Sequence, residues 1–130
     1  MLDWNSPSVD LLLNSHYSEA TKARICIWLK KNGNIKKHVW LATSGTTSLP
    51  SDKLKLVGLS KQAILISAAA VNKHLESNKN DIWVNALPIF HVGGLGIHAR
   101  AFLSQAKIFS FEGKWDAALF HEFLKYTKGT

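Results

Sequence analysis

The chain has one cysteine, Cys26, in 130 residues, so no internal disulfide can form and a packed core must hold the fold. Cys26 lies in a helical pattern, which favours a buried thiol in a reducing compartment over a reactive one. Long apolar runs are missing too. The longest strongly apolar stretch, Ala63 to Val71, is too short to cross a bilayer, and Asp3 stands where a secretory leader would carry basic residues. A soluble, non-exported, cytoplasmic protein with no membrane partner is expected. Internal repeats, low-complexity tracts and an obvious interdomain linker are also lacking. A hydrophobic content of 46% in a chain of this size predicts a single globular domain rather than a disordered segment.

Acidic residues are scarce: nine Asp and Glu stand against sixteen Lys and Arg, for a formal charge of +7. From Ala20 to Ser51 the chain has Lys22, Arg24, Lys30, Lys31, Lys36 and Lys37 and no acid at all. Such a run is either a solvated face or a surface for something anionic. A basic nucleic-acid-binding domain is one alternative, but neither an aromatic-basic stacking motif nor a groove-reading helix accompanies the charge. No metal site is expected, because His91 and His98 lack a cysteine or carboxylate placed to complete a ligand set.

Local patterns predict an alternation of strands and helices. Pro7 after Ser6 predicts a helix start running into Val9, Leu11, Leu12 and Leu13, and Ser18 begins a second helix reaching about Lys31. Ile35 to Ala42 reads as a buried strand. Ser60 is a candidate N-cap for a helix in which Ile64, Ala68, Val71 and Leu75 recur at helical spacing. Ile82 to Leu87 reads as a second strand halted by Pro88, and His91 to Gly96 as a glycine-rich bend. Ile97 to Ala106 then reads as a helix, Lys107 to Phe111 as a strand and Trp115 to Tyr126 as an amphipathic helix. The order predicts an α/β fold, a mostly parallel sheet with crossover helices.

Two segments carry chemistry. Thr43, Ser44, Gly45, Thr46, Thr47 and Ser48 put five hydroxyls and one glycine directly after a buried strand. Hydroxyls and free backbone N–H groups can surround polyphosphate oxygens, and glycine lets the main chain approach closely; by composition alone the same residues make a Ser/Thr-rich turn. The spacing of a Walker loop is absent. The segment Thr43 to Lys53 resembles the Thr-Ser-Gly-Thr-Thr-Gly-x-Pro-Lys signature of the adenylate-forming superfamily, which includes acyl-CoA synthetases. Five consecutive positions and Pro50 match. Ser48 replaces the second glycine, Ser51 and Asp52 displace the lysine, for which Lys53 can substitute, and the loop runs several residues longer before Ser60.

The second segment, Ala86-Leu87-Pro88-Ile89-Phe90-His91-Val92-Gly93-Gly94-Leu95, follows after one helix and resembles the Leu-Pro-x-Phe-His-x-x-Gly motif of the same superfamily. Taken without that resemblance, His91 is a strand-end histidine bonded to the backbone, and Arg100 a surface or helix-packing residue. Within the superfamily, Gly94-Leu95-Gly96-Ile97 followed by Arg100-Ala101, together with the Ser60-Lys61 pair, is most similar to o-succinylbenzoate:CoA ligases of menaquinone biosynthesis.

The resemblance implies the fold of a partial N-terminal domain of an adenylate-forming enzyme. It also implies an AMP-forming acid:CoA ligase activity using ATP, Mg²⁺ and CoA. Thr43, Ser44, Gly45, Thr46, Thr47, Ser48 and Lys53 would bind the ATP phosphates, and His91, Gly93, Gly94 and Arg100 would line the acyl-substrate pocket. No catalytic residue and no metal ligand is expected within this stretch, and a non-catalytic nucleotide-binding module is a further alternative. Residues 1–130 read as a single domain fragment, with a helical N-terminal segment over 1–38, an AMP-binding-type region over 39–130 and no C-terminal domain. Such a slice is expected to be inactive alone and to self-associate through an exposed sheet edge or swapped elements.

Overall fold

The computed structural model describes residues 2–33, 35–43 and 54–130. They fall into two compact units, Met1–Gln62 and Ala63–Thr130.

The first unit is built on β1 (Val9–Leu12), α1 (Glu19–Asn32), β2 (His38–Thr43) and β3 (Lys55–Ser60). The expected helix at Pro7 is instead strand β1, which pairs in parallel with β2 from Val9↔His38 to Leu12↔Leu41. Residues before it explain the difference. Asp3 accepts from the backbone N–H groups of Asn5 and Ser6, Ser6 Oγ accepts from Ser8 N, and the Pro7 carbonyl accepts from Lys37 N. The Ser-Pro pair is thus a turn feeding a strand, and tertiary pairing overrides the local helix signal. Helix α1 forms as expected: Ser18 Oγ caps Thr21 N at 3.2 Å, Glu19 sits in the first turn, and Lys30 and Lys31 complement the C-terminal end of the dipole. Its inward face carries Ile25, which turns the next residue, Cys26, outward; the thiol is exposed, not buried as expected.

Strand β2 is the core of this unit. Val39, Trp40 and Leu41 are all buried, as a strand covered on both faces requires. Against it runs β3, antiparallel, from His38↔Ser60 to Thr43↔Lys55. This strand was not expected from the sequence, in which the residues before Ser60 read as loop. Gly58 permits it: a Cβ there would come within 2.9 Å of the Trp40 ring, so bare backbone lies against the indole. Trp28 of α1 closes on Trp40 edge-to-face, with ring centroids 5.9 Å apart.

Helix α2 (Lys61–His74) starts at the boundary between the units. The second unit continues with β4 (Ile82–Asn85), α3 (Val92–Ser104), β5 (Lys107–Ser110) and α4 (Ala117–Thr127). β4 and β5 are parallel, from Ile82↔Lys107 to Asn85↔Ser110, joined through α3 as a crossover demands. The chain returns after α4 to β4, where Thr130 N donates to Ile82 O and Ile82 N donates to Thr130 Oγ1. The α/β class expected from the alternation is observed, with a three-stranded mixed sheet and a two-stranded parallel one. Among the described residues no helix is long and apolar enough to cross a membrane.

Candidate functional site

Of the candidate phosphate-binding residues, Thr43 is described and closes β2. Its hydroxyl donates to Lys55 O at 3.4 Å, and the Thr43↔Lys55 rung brings the two ends of the intervening segment together. Ser44, Gly45, Thr46, Thr47, Ser48 and Lys53 lie outside the described residues.

The second motif forms the entry to α3. His91 to Gly96 is not a free bend as expected: the helix begins at Val92, so Gly93, Gly94 and Gly96 are helical. His91 is the N-cap, in an extended conformation, and its Nδ1 accepts from Gly93 N at 3.2 Å. Because Nδ1 accepts, the ring proton sits on Nε2, leaving one outward donor on an exposed side chain. The histidine therefore does bond the backbone, through an N–H group, while its far nitrogen stays available.

Gly94 explains why the helix starts there. A Cβ would lie 2.2 Å from the Pro88 carbonyl oxygen and 2.6 Å from that of Leu87. Both obstacles are backbone, so only glycine lets the first turn of α3 lie against the Leu87-Pro88 turn. At Gly93 the nearest obstacle is the flexible end of the Leu87 side chain.

Arg100 lies two turns further along α3, half-buried. Its guanidinium carbon is 5.7 Å from the centroid of the Trp83 ring on β4. Nη2 lies 3.9 Å from where a Cβ on Gly96 would be, so the side chain folds back one turn toward the start of the helix. Its backbone is fixed as well, because the Arg100 carbonyl accepts from Asn72 Nδ2 at 2.9 Å and from Ser104 Oγ at 3.0 Å. Among the described residues Arg100 Nε is buried without a hydrogen-bond partner, and no carboxylate pairs with the guanidinium. His98, on the same helix, is pushed below the ordinary histidine pKa by burial, which disfavours the charged ring.

His91, Gly93, Gly94 and Arg100, all named from the sequence motif, lie together on one helix and its cap. Trp83 carries no signal in the sequence beyond its place in a strand. No local spacing links Trp83 to Arg100, which is seventeen positions away. Among the described residues no group of three or more His, Cys, Asp or Glu side chains could hold a metal.

This geometry sits in a fold seen elsewhere. The chain resembles the o-succinylbenzoate coenzyme A synthetase MenE from Bacillus subtilis in complex with AMP, at 20% identity and a TM-score of 0.62, over 92% of this chain and 27% of that one. A double mutant of that synthetase, bound to the product analogue OSB-NCoA, matches equally, with 20% identity, the same coverages and a TM-score of 0.62. ATP-bound MatB from Rhodopseudomonas palustris matches at 21% identity and a TM-score of 0.54, over 68% of this chain and 17% of that one. The chain thus spans about a quarter or less of the length of these solved structures. No protein-family model matches it, and no curated protein does. What is shared is the fold: a small α/β arrangement like part of the N-terminal domain of the adenylate-forming CoA ligases.

Proposed function

We propose that this chain is part of a cytoplasmic, ATP-dependent acid:CoA ligase and that the acid is o-succinylbenzoate, the ligase acting in menaquinone biosynthesis. The observation that carries the reading is the α3 entrance. A Leu-Pro-x-Phe-His turn is locked beneath Gly94, His91 caps the helix, and Arg100, which has no carboxylate partner among the described residues, folds back toward that end. The fold shared with an AMP-bound synthetase supports it.

The chemistry has two steps. A carboxylate oxygen of the acid attacks the α-phosphorus of ATP, the bond to the bridging oxygen breaks and pyrophosphate leaves. The CoA thiol, giving up its proton, then attacks the acyl carbon and displaces AMP. Thr43, Ser44, Gly45, Thr46, Thr47, Ser48 and Lys53 hold the β- and γ-phosphates, so the α-phosphorus stays open to in-line attack. The helix-end field of α3, the Nε2 donor of His91 and the Arg100 cation draw the carboxylates of the acid. Gly94, with Gly93, acts by seating the turn that presents His91. Among the described residues no group of three or more His, Cys, Asp or Glu side chains could hold Mg²⁺.

The test is pyrophosphate release and CoA-thioester formation by the complete gene product, screened over aromatic and aliphatic acids including o-succinylbenzoate. Thioester with o-succinylbenzoate is expected; no turnover with any acid defeats the reading. The departures at Ser48, Ser51 and Asp52 favour one second reading, a nucleotide-binding module without turnover. It predicts ATP binding in the same preparation with no pyrophosphate released. For the 130-residue chain alone, calorimetry should detect weak ATP binding or none, and a sub-micromolar Kd would contradict the assignment of adenine and ribose contacts to other segments.

A further inference from the structure

We infer that Trp83 is a positioning residue for Arg100, its indole holding the guanidinium folded back toward the start of α3 to receive a substrate carboxylate; this rests on the reading of Arg100 as the carboxylate receptor. The Trp83 ring lies 5.7 Å from the guanidinium carbon, within the range of a cation–π contact. A guanidinium with one face against an indole makes its hydrogen bonds through its edge. The two Nη–H groups at its outer end form a planar donor pair that matches a carboxylate.

The pose is held from three sides. Trp83 is anchored on β4, which pairs with β5 on one edge and receives Thr130 on the other. The Arg100 carbonyl is tied to Asn72 and Ser104, so the backbone cannot drift along the helix. The absent side chain at Gly96 leaves the Nη2 end beside bare backbone.

What the pose does not satisfy is the arginine's own hydrogen bonding. Nε is withdrawn from solvent without an acceptor, and among the described residues no carboxylate pairs with the cation. Trp83 Nε1 is buried without a partner as well, so the pair holds a cation whose charge an anion can meet at its Nη end. The start of α3 adds partial positive charge in the direction the side chain runs. Without the indole, Arg100 would be free to extend into solvent and satisfy its donors there, losing the preset aim.

The experiment is a two-dimensional NMR titration of the 130-residue chain with sodium benzoate, and separately with benzamide and inorganic phosphate. In the wild-type protein the Arg100 Nε–H resonance should carry an indole ring-current shift and should move with benzoate but not with benzamide. Trp83→Leu should erase the ring-current shift and weaken benzoate about tenfold, whereas Trp83→Phe, which keeps a ring face, should lose only about threefold. A structural role alone would instead lower the melting temperature of both variants without this ordering in affinity. Arg100→Lys, which keeps charge but not the fork, should weaken benzoate at least as much as Trp83→Leu.

If Arg100→Lys weakens binding but Trp83→Leu changes neither affinity nor the Arg100 resonance, the positioning role is overturned while the carboxylate reading survives. If Arg100→Lys has no effect, the carboxylate reading of Arg100 itself fails. No movement of the Arg100 resonance with benzoate, or movement with phosphate alone, overturns the inference and leaves the thioester assay to decide the ligase reading.

Discussion

Lys61 carries its amino group with a side chain only 2% exposed, which is expensive unless every donor is met. It is met: Nζ donates to the carbonyls of Asp3 (2.8 Å) and Ser6 (3.1 Å) and to Ser8 Oγ (3.1 Å), and pairs with the Asp10 carboxylate. One residue at the start of α2 thus pins the whole approach to β1. Lys61→Met would leave two carbonyls without this donor and the Asp10 carboxylate with the Ser8 hydroxyl but no cation, and should destabilise the protein by about 3 kcal/mol in urea unfolding, the lower end for breaking a buried pair because Asp10 is partly exposed. Asp10→Asn keeps the other acceptors and should cost about 1 kcal/mol. His98 gives a pH signature. Its pKa in the folded chain lies below the ordinary 6.5, so as pH falls the unfolded chain takes up the proton first. The contribution is present in full above 6.5 and is lost as pH drops from there through the folded-state value. Between about pH 7.5 and about pH 5.5 the urea midpoint of the wild type should fall more steeply than that of His98→Gln; parallel slopes would refute the assignment.

At the scale of elements, the two glycines of α3 separate cleanly. Gly94→Ala drives a Cβ into the Pro88 and Leu87 carbonyls and should destabilise the second unit by about 2 kcal/mol in thermal or urea unfolding. Gly96→Ala meets only Arg100 Nη2 at ordinary contact distance and, as a mid-helix substitution, should stabilise by about 0.5 kcal/mol. Opposite signs two residues apart would show that the turn, not helix propensity, selects Gly94. The sequence makes some of this legible and hides the rest for physical reasons. Ser18 and the α1 pattern are local signals, and α1 is found where they place it. The apolar strand β2 is legible from the same kind of short-range pattern. The strands β1 and β3 are not, because each is stabilised by pairing with β2, and the decisive partners (Lys61 for Asp10, Trp40 for Gly58) are distant in the chain. Glycine clusters read as loops, yet Gly93 and Gly94 are helical because a distant requirement, close approach to a turn, outweighs their low propensity. In the candidate site the motif residues could be named from the sequence, but the Arg100–Trp83 contact, made between a helix and a strand, could not.

At the scale of the molecule, the expected self-association finds physical support in what the second unit leaves uncovered. A parallel pair such as β4–β5 is ordinarily flanked by further strands and covered on both faces. Here each strand is four residues long, and among the described residues β5 has β4 as its one ladder partner. On β5 Phe109 is 40% exposed, and on and before α4 Trp115, Leu119 and Tyr126 are 59%, 62% and 85% exposed. Phe111 packs edge-to-face on Trp115 and Phe120, so this apolar surface is continuous with the unit's aromatic cluster. An open strand edge beside exposed aromatics is a template for pairing with another copy. Size-exclusion chromatography with light scattering should therefore give a mass above that of one chain, rising with concentration. Phe109→Lys, which puts charge on the open strand without disturbing a buried residue, should shift the distribution toward monomer while leaving the circular dichroism unchanged. A single-chain mass at every concentration would defeat the prediction. Association unaffected by Phe109→Lys would move the interface away from β5, to the outer face of α4 that carries Leu119 and Tyr126, where Leu119→Lys is the corresponding test.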